Sequence, residues 1–297
     1  MTDPRPVSPA VSAITDLPSR PDSAGICIRP LRSMEDCHAC VTLQRHVWGW
    51  DQADVVPSTL LHVVEYVGGL AAGAFGTDGT LLGFVFGISG VRAGQLAHWS
   101  HMLGVRESAR NMGLGRLLKE YQRTTLAALG VGKIYWSFDP LQAKNAYFNL
   151  NRLGAEVVEY VPDMYGTTES PLHLGLATDR LVVCLETSGI AAPALHYTPL
   201  HDALPVLTPF PRPSDNSMSI GDRTPERALI EIPSDVLEVI ARSPAAGQTW
   251  RLAVRDYMQW ALARDYLISG VHVSAATGRS FYVITRAETA RDEAKTP

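Results

Sequence analysis

The stretch LGVRESARNMGLGRLL, running from Leu103 to Leu118, decides how the chain is read. An apolar strand ends at Val105, a short connection follows, and an amphipathic helix opens inside Arg110-Asn111-Met112-Gly113-Leu114-Gly115. A helix start leaves about four backbone N–H groups unpaired and carries a partial positive charge. Glycines there remove the Cβ atoms that would hold a diphosphate off those donors, and Arg110 adds a charged contact. The pattern therefore predicts a pyrophosphate held through backbone. Two other readings stand beside it. One is a glycine-tolerant helix start with an incidental arginine. The other is a dinucleotide fingerprint, which needs three glycines after a first strand–helix unit and an acidic residue about 20 positions on. Here the turn has only two of those glycines and sits mid-chain.

Outward from that turn the chain reads as mixed α and β. Before it come a short strand at Cys27 to Leu31, helices over Met34 to Val47 and Ser58 to Val67, and strands at Leu70 to Phe75, Leu81 to Ile88 and Gln95 to Val105. The second and third strands flank Thr77-Asp78-Gly79, and the Asp-Gly pair predicts a tight hairpin. After the turn, a helix over Gly113 to Leu129 places Leu114, Leu117, Leu118 and Tyr121 on one face, with Arg116, Lys119, Glu120 and Arg123 outward. A strand at Lys133 to Phe138, a short helix at Lys144 to Leu153 and strands at Glu156 to Val161 and Leu181 to Leu185 follow.

Composition divides the rest. Residues 1–25 are rich in Pro, Ser and Asp and predict a disordered tail. Residues 26–188 form the main domain. Residues 189–226 hold Pro193, Pro199, Pro205, Pro209, Pro211, Pro213 and Pro225, a density that blocks helices and sheet ladders and predicts an extended connector. Residues 227–290 predict a smaller strand-helix-strand-strand unit. The 297-residue chain has a formal charge of −4 and four cysteines. That balance argues against nucleic-acid binding, and the sparse cysteines fit a reducing compartment. With no apolar run of about 20 residues and no signal-like leader, the expectation is a cytoplasmic protein without a membrane partner.

Val105-x-x-x-x-Arg110-x-x-Gly113-x-Gly115, after an apolar strand and opening a helix, resembles the acyl-CoA signature of the GNAT N-acetyltransferase superfamily. The element order over residues 27–186 is similar as well. The resemblance implies an α+β fold with a mixed central sheet, split by parallel strands that splay apart near Val105 and Phe138. It implies acyl-CoA as co-substrate, acetyl-CoA or succinyl-CoA, with no metal. The pantetheine arm would run along the backbone of Met102, Leu103 and Val105, and the diphosphate would sit on Met112, Gly113, Leu114 and Gly115. Asn145 resembles an asparagine that such proteins place near the pantetheine. The whole chain, with its EIPSDV and TWRLAVRDYMQWALARDY segments, resembles a longer bacterial branch of that superfamily, which is in turn similar to enzymes thought to N-succinylate amino acids.

The pattern departs from that family at one place. A tyrosine commonly stands four residues before the glycine that ends the last helix, where it protonates the departing thiolate; here Leu150 stands before Gly154. Tyr147, one turn earlier, is the substitute acid, or else a packed core residue. Of His98 and His101, strand alternation puts them on opposite faces. His101 shares a face with Leu103 and Val105 and is the candidate general base; Asp139 and Glu107 are further candidates. Trp48, Trp50 and Tyr165 are candidates for the acceptor pocket. Cys37-His-Ala-Cys40 lacks the second pair that a zinc site needs, and predicts one buried and one half-buried thiol.

The expected activity is acyl transfer from acyl-CoA to the amine of a small molecule such as an amino acid, by direct attack. A second reading keeps the fold and makes the chain an acyl-CoA-binding decarboxylase or a non-catalytic sensor. A third gives the C-terminal unit the job of completing a homodimer.

Overall fold

The computed structural model describes residues 25–49, 55–166, 175–188, 204–211, 217, 219 and 224–287. The chain forms two compact units, one of residues 1–136 and 186–189, the other of residues 137–185 and 190–297. The sequence reading divides the chain at 188 and 226 instead. Among the described residues no helix is long and apolar enough to cross a membrane.

In the first unit, β1 (Cys27–Pro30), β2 (Leu70–Phe75), β3 (Leu81–Arg92) and β4 (Gln95–Val105) pair antiparallel in chain order. The predicted turn between β2 and β3 is made as expected. Gly79 takes φ +80°, and Asp78 Oδ1 accepts from the Thr80 N–H at 2.9 Å. The β3–β4 turn is tighter than predicted. Arg92 pairs with Gln95 across Ala93 and Gly94, both at positive φ (48° and 75°), the geometry a two-residue hairpin requires. β3 thus runs four residues past Ile88, because exposed polar and small residues conceal its alternation there.

Helix α1 (Met34–Trp48) starts at Ser33, whose side chain and that of Asp36 cap each other's backbone N–H groups. It buries Cys37, Cys40 and Leu43 against Phe84, Phe86 and Met102. Both thiols are fully buried, and burial pushes them up to about 11 and about 12. The half-buried thiol of the sequence reading is therefore corrected: the helix presents both sulfurs to the core. Helix α2 (Ser58–Val63) tightens into a 3-10 turn over Val64–Val67. Helix α3 (Leu114–Ala128) covers the other sheet face, where Leu114 and Leu118 pack with Val85, Leu103 and Val105. Last in this unit, β5 (Lys133–Phe138) pairs parallel to β4 and crosses into the second unit at Ser137.

In the second unit the strand order continues from β5 through β7 (Arg180–Glu186) to β6 (Glu156–Val161), giving a mixed sheet of seven strands in all. Helix α4 (Ala143–Tyr147) leads into a π turn, Phe148–Arg152. A separate four-stranded sheet has the order β10 (Tyr266–Val273), β11 (Ser280–Arg286), β9 (Arg227–Ile232), β8 (Val206–Leu207). β8 lies inside the proline-rich stretch and pairs parallel to β9, which corrects the expectation that prolines exclude a ladder there. Pro205 flanks the strand rather than interrupting it, and its carbonyl accepts from the Leu229 N–H at 2.9 Å.

The single helix expected in this region is two, α5 (Val236–Arg242) and α6 (Pro244–Leu262). Ser243 breaks the run by capping α6 through Ala246 N, with Pro244 at the first helical position. Residues far apart in sequence are joined at the core of the unit. Arg251, 1% exposed, makes a bidentate pair with Asp139 at 2.9 and 2.7 Å, and the Tyr282 hydroxyl donates to the Pro140 carbonyl at 2.9 Å.

Candidate active site

The predicted binding turn is built from left-handed backbone. Asn111 takes φ +67° and Gly113 φ +77°, and a short 3-10 turn at Glu107–Ala109 leads into them from β4. Gly113 caps α3 without any side-chain bond. Glycine suits this position because the left-handed region disfavours residues with a Cβ; an added Cβ would itself meet no atom within 4 Å. Arg116 and Leu117 are the first N–H groups to bond, both to Gly113 O, at 3.0 and 3.2 Å. Among the described residues, the N–H groups of Met112, Gly113, Leu114 and Gly115 have no backbone partner. Those four are the groups that the sequence reading expects to face a diphosphate. Arg110 beside them is exposed and only loosely paired with Glu107, at 3.8 Å.

The adjoining strand has an open edge. β4 pairs with β5 only at Ala97, His98 and Trp99, opposite Lys133, Ile134 and Tyr135. Beyond Trp99 that edge of β4 has no strand partner among the described residues of the first unit, and Met102, Leu103 and Val105 lie on it. β3 continues to pair with the opposite edge as far as Val105. The splay implied by the resemblance is thus present, and it leads toward the Gly113 turn.

A bulge alters which face each β4 residue takes. Phe86 pairs with Met102 but Gly87 pairs with Ser100, so His101 is an extra residue in the strand. Alternation therefore slips by one. His98 and Ser100 face α3, as do Leu103 and Val105 after the bulge, whereas His101 meets Phe86 edge-on with ring centroids 6.0 Å apart. The sequence expectation that His101 shares a face with Leu103 and Val105 is corrected, since strict period-2 counting fails across a bulge. His101 is exposed overall, yet the apolar surroundings of its ring lower its pKa. On its α1 side stand Met102 and Trp48, the latter packed edge-on against Phe84 at 5.8 Å.

His98 is fully buried in a polar chain that the sequence reading missed. The Ser89 hydroxyl gives its one hydrogen to the Gly68 carbonyl at 2.5 Å, so His98 Nδ1 is the donor in its 3.0 Å bond to Ser89. Nε2 then accepts from Gln122 Nε2 at 3.1 Å, and Gln122 Oε1 accepts from Lys119 Nζ at 3.1 Å. A second proton on His98 would oppose the Gln122 amide. Burial and the Lys119 charge together push the imidazole down to about 3. Gly87 makes room for the ring, as a Cβ there would lie 2.3 Å from Nε2.

Lys119, read as outward from sequence, is 4% exposed; this too is a correction. It donates to Ser100 Oγ at 2.8 Å, sits 3.9 Å from the Trp136 ring centroid, and is pushed down to about 7 by burial. The available signal was spacing: Leu118, Lys119, Gln122, Thr125 and Leu126 repeat at helical intervals and are all buried.

The second unit holds the remaining predicted residues. Tyr147 is half-buried, and Leu150, which stands where the resemblance would place a tyrosine, is buried. Asn145 accepts from Asn149 Nδ2 at 3.1 Å. Two helical positions separate Asn145 from Tyr147, so they project about 200° apart. Tyr165 is 48% exposed, bonds Ser137 Oγ at 3.2 Å and lies under the Arg180 guanidinium. Trp50 falls outside the described residues. Asp139 is committed to Arg251 and to the Leu141 N–H, which gives it a structural place rather than that of a free base.

No family model and no curated protein matches the chain. Similar solved structures include the ribosomal-protein-S18-alanine N-acetyltransferase from Escherichia coli (17% identity, TM-score 0.43, covering 56% of this chain and 97% of that one). An acetyltransferase of the GNAT family from Streptococcus pneumoniae is similar at 16% identity and TM-score 0.44, covering 54% of this chain and 99% of that one. An aminoglycoside 6'-acetyltransferase type Ii is similar at 19% identity and TM-score 0.44, covering 56% and 98%. Likenesses this distant leave the function to be argued from the chain's own geometry.

Proposed function

We propose that the chain is an acyl-CoA-dependent N-acyltransferase of the GNAT kind, acting in the cytoplasm on a small-molecule amine. One observation carries the reading. Among the described residues, an edge of β4 without a strand partner beyond Trp99 leads to a left-handed turn whose four N–H groups at the start of α3 have no backbone partner. An extended pantetheine arm suits such an edge, and a diphosphate suits such a turn. On this reading Met102, Leu103 and Val105 hold the arm, and Met112 to Gly115 hold the diphosphate with Arg110 beside it.

In the reaction the amine nitrogen attacks the thioester carbonyl carbon. A C–N bond forms, the C–S bond breaks, the nitrogen loses a proton and the sulfur gains one. Tyr147 is the proposed donor to sulfur, and His101 the proposed acceptor from nitrogen, with Trp48, Trp50 and Tyr165 as proposed acceptor contacts. The acyl group is acetyl or succinyl, and an amino acid is the proposed acceptor. Asn145 points away from Tyr147 on its helix, so the acid role does not lean on it. The experiment is a calorimetric titration of the full chain with acetyl-CoA, succinyl-CoA and CoA. Micromolar binding of a thioester, followed by CoA release only when an amine is added, supports the reading; no binding of any of the three ends it.

A second reading has one observation in its favour. Leu150 is apolar and buried where the family places its proton donor, which suits a protein that binds acyl-CoA as a sensor or decarboxylates it. Carbon dioxide release from a carboxylated acyl-CoA with its thioester intact, or thioester binding with no turnover at all, would select it.

A further inference from the structure

The second unit contains a cavity of about 560 Å³ between the α4 segment and the β10–β11 hairpin. That size falls in the range of roughly 300–1,000 Å³ usual for small-molecule sites. Ala143, Lys144, Tyr147 and Asn151 line one side, at helical spacing. Val271, His272 and Val273 of β10 line the other.

The wall is largely apolar, and most of its polar groups are already engaged. Asn151 bonds the Val271 backbone through both its side-chain oxygen and nitrogen, at 2.9 and 3.1 Å. The Ser234 hydroxyl donates to the Gly278 carbonyl at 2.6 Å and lies 3.1 Å from Ser280 Oγ. Lys144 differs. It is the one lining residue with a full charge, no carboxylate lines the cavity, and no acidic partner holds Lys144 among the described residues. A cavity with apolar walls and one free ammonium at its side is complementary to an amphiphilic anion. A carboxylate on Lys144 gains a charge-assisted bond while an attached side chain replaces water against Ala143, Val271 and Val273.

We propose that this cavity receives the acceptor, and that the acceptor is an apolar amino acid whose carboxylate is held by Lys144 Nζ. Trp48 and Tyr165 do not line it, so here the cavity takes over the acceptor contacts assigned to them above. The proposal rests on the acyltransferase reading, which gives Tyr147, in the cavity wall, its part in the transfer.

The test uses the full chain and two probes, L-leucine and 3-methylbutylamine, the latter being the same skeleton without its carboxylate. Calorimetry should show leucine binding and the amine binding at least tenfold more weakly. Lys144→Glu, at an exposed position, should weaken leucine at least tenfold while CoA titrates unchanged. Val273→Trp, which fills the cavity from its exposed rim, should do the same. In turnover, Lys144→Glu should raise KM for leucine with KM for the thioester constant. The proposal is overturned if leucine fails to bind, if the amine binds equally well, if Lys144→Glu binds leucine like the wild type, or if the KM for leucine does not move. A wild-type chain that binds leucine but no CoA thioester would sink the acyltransferase reading and leave the cavity as a binding site only.

Discussion

The side-chain amide of Asn151 stands in for a neighbouring strand: its Oδ1 accepts from the Val271 N–H at 2.9 Å and its Nδ2 donates to the Val271 carbonyl at 3.1 Å. β10 is an edge strand with a bulge between Ile268 and Gly270, so Val271 needs partners on its open side. One residue of the π turn supplies both. Removing it should leave two backbone groups wanting. Asn151→Leu is expected to lower stability by about 1–3 kcal/mol, the penalty of an unsatisfied buried polar group. Asn151→Asp, which keeps the acceptor but faces the carbonyl with a charge, should also destabilise. Urea denaturation measures both, and a leucine variant as stable as the wild type would show that water satisfies Val271.

Gly113 is the most exacting position of the proposed diphosphate turn. At φ +77° a valine should cost about 1–2 kcal/mol locally and reshape the turn. Gly113→Val is therefore expected to weaken CoA binding well over tenfold with little change in far-UV circular dichroism. Asparagine tolerates left-handed backbone, so Gly113→Asn should retain more affinity than the valine variant. Equal affinities for wild type and Gly113→Val in calorimetry would refute a backbone-held diphosphate.

Tyr147→Phe removes one hydroxyl from a half-buried ring and leaves its packing in place. General-acid help is typically worth about 10² to 10⁴ in rate. We expect kcat to fall at least tenfold with KM for acyl-CoA nearly constant, the signature of an interaction made in the transition state. A variant turning over at the wild-type rate would leave the thiolate to depart unaided, as Leu150 already hints.

The buried polar chain predicts two pH windows. Lys119 is held near 7 when folded against about 10.4 when unfolded, so between those values the unfolded chain binds the extra proton. Stability contributed at this site rises with pH from about 7 to about 10. His98, at about 3 folded against about 6.5 unfolded, likewise makes stability fall as pH drops from about 6.5. Against the wild type, Lys119→Met should gain relative stability at pH 6 and lose that advantage by pH 10. Parallel stability curves for the two proteins over that range would contradict the assignment.

Local features were legible and long-range ones were not. The glycine turn, the Asp78–Gly79 hairpin and the full extent of β4 follow from residues adjacent in sequence. The bulge at His101 carries no residue signal, since any side chain can be the extra one, and a single slipped residue reversed the face inferred for His101. Lys119 looked solvated because charge outweighs spacing in a one-helix reading; only Ser100, brought close by the sheet, explains where its ammonium goes. The break before α6 was in fact written as Ser243-Pro244, a cap followed by a helix-starting proline. The joining of residues 137–185 to the C-terminal segment depends on contacts such as Asp139 with Arg251, 112 residues apart, which no local pattern announces.

That same ion pair constrains how the chain can have changed over time. A carboxylate at 139 without its guanidinium is a stranded interior charge, and the converse is equally unwelcome, so neither position is free to drift alone. In related sequences the two should be kept or exchanged together, and the C-terminal segment should be inherited with the strand end it neutralises, never shuffled onto it as a detachable ornament.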